Sequence, residues 1–93
     1  MIIEVKGEGG ESLLFDGASV TKFRHDGKEE SARNPASTYR EARIKEKKAK
    51  RGKPHRYDVL LACATIFSLT ILESEKPKFD ELVRELEKIA AGS

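Results

Sequence analysis

The stretch Val59–Leu72, VLLACATIFSLTIL, is fourteen residues without a charge in a 93-residue chain whose charged residues amount to 37%. Whether it forms one helix or two strands sets the architecture of the domain. As one helix it would be about 21 Å long at 1.5 Å per residue, short of the ~30 Å hydrocarbon core of a bilayer, and Thr65, Ser68 and Thr70 interrupt it, so no membrane span is expected. Read with a period of two, Tyr57, Val59, Leu61 and Cys63 share one face and Leu60, Ala62 and Ala64 the other. Further on, Phe67, Leu69 and Ile71 oppose Ile66, Ser68, Thr70 and Leu72. The β-branched and aromatic content favours two strands over a buried helix. Their junction is the difficulty, since Ala62, Ala64 and Thr65 provide neither Gly nor Asn for a tight turn.

Behind the run, Phe79, Leu82, Val83, Leu86 and Ile89 recur at helical spacing, with Asp80 and Glu81 in the first turn, Lys88 in the last and Gly92 as a stop. A helix of about 15 residues is marginal alone, so it must dock on the two strands. Its expected cover is the face made by Val59, Leu61, Cys63, Phe67, Leu69 and Ile71.

Ahead of the run, Ile2–Lys6, Ser12–Phe15 and Ser19–Arg24 read as three short strands. The turn sequences Asp16-Gly17 and Asp26-Gly27 close the second and third. Lys28–Ser37, KEESARNPAS, has no apolar residue larger than Ala and contains Asn34-Pro35. It is expected to be a connecting loop and the most mobile part of the domain. Tyr39–Lys47 reads as an exposed strand with Ala42 and Ile44 turned inward. The alternative is a charged helix from Pro35 to Arg51, with Tyr39, Ala42, Glu46 and Ala49 on one face, a stripe too thin to anchor it. Lys50–Pro54 is then the tip of a long hairpin returning through Arg56.

Net charge is only +2, yet residues 40–56 hold nine Lys or Arg against Glu41 and Glu46. The rest of the chain is correspondingly acidic. The candidate contacts for an anionic partner are Arg43, Lys45, Lys47, Lys48, Lys50, Arg51, Lys53 and Arg56. Such a patch fits a protein partner of opposite charge, or else the phosphates of nucleic acid or anionic lipid. Base stacking has little to work with, only Tyr39 and Tyr57 at the two ends. A charged hairpin that merely keeps sheet edges apart would look the same.

Catalytic and cofactor signals are weak. His25-Asp26 are neighbours whose side chains point apart, and no nucleophile accompanies them. Two His and one Cys make no metal-ligand set. Gly7, Gly9 and Gly10 lack the following helix and Lys-Ser/Thr pair of a phosphate loop. No enzymatic activity, metal or cofactor is expected. The lone Cys63 forms no disulfide within the chain, and the N-terminus lacks the cationic start and apolar region of a signal peptide, so a cytoplasmic location is expected.

Two segments carry a resemblance. Leu14-Phe15-Asp16-Gly17 leads into Ser19-Val20-Thr21, and Phe67-Ser68-Leu69-Thr70-Ile71 leads into Lys76-Pro77, Phe79, Leu82 and Leu86. In this the chain resembles the small bacterial pleckstrin-homology-like (PH-like) domains of unknown function. The resemblance implies an α+β fold: a bent antiparallel sandwich or partly open barrel of five to six strands, closed by one C-terminal amphipathic helix. With it goes the expectation of a single non-enzymatic interaction or scaffolding module over residues 1–93, binding a protein partner through its sheet face or the basic hairpin. Phosphoinositide-binding relatives resemble each other in a cationic first loop, whereas Gly7-Glu8-Gly9-Gly10-Glu11 is acidic, which argues against inositol phosphates there.

Overall fold

The computed structural model describes residues 1–47, 51–52 and 54–92. In chain order they form β1 (Ile3–Lys6), β2 (Ser12–Phe15), β3 (Ser19–Arg24), β4 (Glu29–Pro35), β5 (Glu41–Lys47), β6 (Arg56–Ala62), β7 (Ile66–Leu72) and α1 (Lys76–Gly92). Strands β1-β2-β3-β4 make one antiparallel sheet in that order, and β5-β6-β7 a second. The architecture is α+β, and the two sheets do not close on each other.

The uncharged run is thus a hairpin, and its inward face is the expected one. Val59, Leu61, Phe67, Leu69 and Ile71 are buried, and they meet Ile3, Val5, Leu13, Phe15 and Val20 of the first sheet in one apolar cluster. Helix α1 adds Phe79, Leu82 and Leu86, fully buried, with Val83 and Ile89 half-covered, and it lies closest to β1 and the Ala36–Thr38 turn rather than directly on β6 and β7 as expected. The helix begins at Lys76, one residue before Pro77, a first-turn position where a missing N–H costs nothing.

The β6–β7 turn solves its difficulty with side chains from elsewhere. The Thr65 N–H donates to Asn34 Oδ1 at 2.6 Å, and the Thr65 hydroxyl donates to the same oxygen at 3.2 Å. The Ala64 N–H donates to the Thr38 hydroxyl at 3.1 Å, and Arg40 Nη2 donates to the Cys63 carbonyl at 3.1 Å. A turn without Gly or Asn of its own is therefore held by borrowed partners.

Those partners explain the main correction to the sequence reading. Residues 28–37 are not a loop: Glu29–Pro35 is β4, and Ala36–Thr38 is a single 3-10 turn. Seven strands result where five to six were expected. The register with β3 runs Lys22↔Ala32 and then Phe23↔Glu30, leaving Ser31 as an extra residue. That bulge breaks the two-residue alternation by which a strand is recognised. Pro35, opposite Ser19, ends an edge strand where no ladder donor is required.

Residues 41–47 are a strand and not a helix. Ala42 is half-buried. Ile44 lies opposite Val59 on the inward face but stays 42% exposed, because β5 is the edge of its sheet.

Two further contacts tie the sheets together. Gly7 bridges to Ile71, and a Cβ on residue 7 would stand 2.6 Å from Leu69 Cδ1 and 3.0 Å from the Thr70 carbonyl oxygen. The approach needs glycine for its lack of a side chain. Lys22, opposite Leu13 and Ala32, reaches across to the Ser68 carbonyl at 3.0 Å and to Glu11 at 2.8 Å, with its side chain only 12% exposed. Among the described residues no helix is long and apolar enough to cross a membrane.

Candidate interaction face

The face of the second sheet that turns away from the core is set by register. Its rows are Glu41–Ala62–Ile66, Arg43–Leu60–Ser68, Lys45–Asp58–Thr70 and Lys47–Arg56–Leu72. Paired residues project to one side of a sheet, so four of the candidate cations, Arg43, Lys45, Lys47 and Arg56, stand on one surface. Glu46, the other acid of β5, falls on the opposite side. There it meets His55 at 2.7 Å, while the His55 ring packs edge-on against Tyr57 at 5.2 Å. Alternation thus leaves the outer face with four cations against Glu41 and Asp58.

A shallow groove of about 630 Å³ runs across this face. Arg43 and Lys45 line it on β5, Asp58 and Leu60 on β6, Ser68 and Thr70 on β7, and Glu11 beyond β7, and the intervening Ile44, Val59 and Leu69 of the three strands border it as well. Asp58 sits among donors: the Thr70 hydroxyl gives it a 2.7 Å hydrogen bond and Lys47 Nζ lies at 3.5 Å. The Thr70 hydroxyl is the main influence holding its carboxyl below the ordinary value; burial opposes it, and Lys47 and Lys45 add smaller lowering effects. Arg43 pairs with Glu41 at 3.3 Å and Arg56 with Glu8 at 3.0 Å. Lys45 makes no ion pair among the described residues. Exposed pairs such as Arg43–Glu41 are worth about 0–1 kcal/mol, so an incoming carboxylate can displace them.

Arg51 is exposed in the turn at the hairpin tip, next to Gly52 with φ +79°. Lys48, Lys50 and Lys53 lie outside the described residues. The sequence candidates therefore divide into four that the sheet gathers, one at the tip and three without description. Leu60, Asp58, Thr70, Ser68 and Glu11 were not among them. Their alternation was readable, but only the cross-strand register places them beside Arg43 and Lys45.

The imidazoles do not come together. His25, with φ +54° beside Asp26 at +57°, lies 3.3 Å from Glu29, whereas His55 lies near the hairpin tip, just before β6. Among the described residues no group of three or more His, Cys, Asp and Glu side chains is placed to hold a metal.

Cys63 is fully buried, and burial pushes its thiol above the ordinary range against smaller effects of Thr38 and Arg40. A raised pKa and lost access both suppress thiolate chemistry. The folded protein should therefore react with a thiol reagent such as DTNB at least ~100-fold more slowly than the unfolded chain, since reaction requires opening of the core. Equal rates with and without urea would show that the β6–β7 turn is open.

Compared with known proteins, the chain matches no family model, no curated protein and no solved structure.

Proposed function

We propose that the chain is a PH-like interaction module that binds an acidic protein partner on the outer face of β5–β7, without catalysing a reaction. Supporting the PH-like reading are the division into four and three antiparallel strands and the C-terminal helix that completes their shared core.

The observation that carries the binding reading is the mixed chemistry of the groove. Its floor is aliphatic at Leu60, its β5 wall is cationic at Arg43 and Lys45, and carboxylates stand inside it at Asp58 and Glu11. A surface for phosphates would present cations without acids among them, and a single-strand surface would present rings for stacking. Here the rings of Tyr39 and Tyr57 pack against the core instead. An aliphatic patch rimmed by both signs of charge suits a polypeptide, with complementary charge fixing its register.

The test is an NMR titration of the 15N-labelled protein with three probes: an unstructured peptide of Glu and Leu, a short DNA duplex, and phosphatidylserine vesicles. The peptide should shift the amides of Arg43, Lys45, Leu60 and Thr70. Reversing Arg43→Glu and Lys45→Glu together should weaken it about tenfold, the size expected for two partly screened charge contacts. Tighter binding of DNA or vesicles, lost in the same variant, would replace the protein-partner reading with the nucleic-acid or membrane one.

A further inference from the structure

Resting on that reading, we infer that the partner segment binds as an amphipathic helix lying along the strands of β5–β7, with an apolar seam over Leu60, carboxylates on its β5 flank and cations on the other.

The width of the face suggests the shape of the ligand. Three strands at about 4.8 Å spacing present a surface ~10 Å across, the diameter of an α-helix. An extended segment would cover only one strand's breadth and leave the groove half empty. The length agrees as well. From the Glu41 row to the Lys47 row is six residues of strand, about 20 Å, which a helix of about 15 residues spans.

The chemistry runs in lanes parallel to the strands. Arg43 and Lys45 make a cationic lane on β5, Leu60 interrupts β6 with an aliphatic floor, and Ser68 and Thr70 give β7 a neutral hydroxyl lane. Glu11 stands beyond β7 as an acidic border, held there by its 2.8 Å pair with Lys22. A helix presents three such lanes together, since residues three and four apart line one face and its two flanks differ independently. The end of the face at the β6–β7 turn is apolar, with Ala62 buried beneath an Ile66 that is 64% exposed, while the hairpin end carries Lys47 and Arg56. Apolar residues of the bound helix therefore concentrate toward Ile66 and its acidic residues toward Lys47.

Three synthetic peptides of about 15 residues test this, the length set by the span of the face. The first is helical, with a Leu seam, Glu on one flank and Lys on the other. The second keeps the composition, helicity and seam but intersperses Glu and Lys on both flanks. The third carries two central Pro residues that prevent the helix. The first should bind at least tenfold more tightly than either control and shift the amides of Arg43, Leu60 and Thr70. That preference should vanish in Leu60→Glu. It should also vanish in the exposed double change Arg43→Glu with Lys45→Glu, which guards against a folding defect at half-buried position 60. Equal binding of the interspersed peptide would overturn the lane assignment. Equal binding of the Pro peptide, still dependent on Arg43 and Lys45, would overturn the helix while leaving the acidic-partner reading intact. If no peptide shifts this face, both are overturned.

Discussion

Replacing Phe79 with Ala should lower unfolding stability by about 3–5 kcal/mol, the range for removing a fully buried aromatic ring and leaving a cavity. Phe79 has no exposed surface and stands in the first turn of α1, joined to the inward residues of both sheets in one cluster. A 17-residue helix gains little from its own hydrogen bonds, so its attachment rests on this stripe. In a domain of this size a loss of 3–5 kcal/mol lowers the thermal midpoint by about 15 °C or more. The control is Glu81→Ala on the exposed side of the helix, with an expected change below about 0.5 kcal/mol. Urea denaturation measures both. A loss below about 1 kcal/mol for Phe79→Ala would mean that the helix is not anchored through its first turn.

The second large effect is expected at Asn34. Its side chain is 3% exposed, and one oxygen receives both the Thr65 N–H and the Thr65 hydroxyl. Asn34→Leu keeps the volume and removes the acceptor, leaving a part-buried backbone donor without a partner at a cost of about 1–3 kcal/mol. Hydrogen exchange gives the more specific readout: protection of the Thr65 amide should be lost even under conditions where the domain stays folded. Unchanged protection there would show that the β6–β7 turn holds itself.

These two positions stood very differently in the sequence. The Phe79 stripe repeats every three to four residues and is bounded by acids and a glycine, so one segment alone reveals which side it buries. Asn34 sits among Glu, Ser, Arg and Pro with no apolar pattern. Its role exists only because β4 pairs with β3 and carries it to a turn 31 residues away. The bulge at Ser31 hid that strand, and with it the reason that Cys63-Ala64-Thr65 can turn without glycine. Lys22 is a similar case. Within the sequence SVTKFR it reads as an ordinary exposed lysine, yet it lies on the inward face and joins the sheets through Ser68 and Glu11.

The candidate face was legible in part. The excess of cations over residues 40–56 is plain from composition, and alternation assigns Arg43, Lys45 and Lys47 to one side. Composition does not show that Glu46 turns to His55 on the other side, or that Asp58 and Thr70 share the groove. Those facts depend on which residues of β6 and β7 lie opposite.

Local pattern sufficed for the inward faces of β6 and β7, the three strands β1 to β3 near their observed limits, the strand at 41–47 and the C-terminal helix. Each of these is written in a local period or a turn pair, and burial on one side of an element needs nothing more. Long-range packing was needed for β4, the division into two sheets, the borrowed capping of the β6–β7 turn and the grouping of Leu60 and Asp58 with the cations. Those features depend on contacts between residues distant in the chain, where backbone hydrogen bonding and single buried polar groups outweigh local propensity.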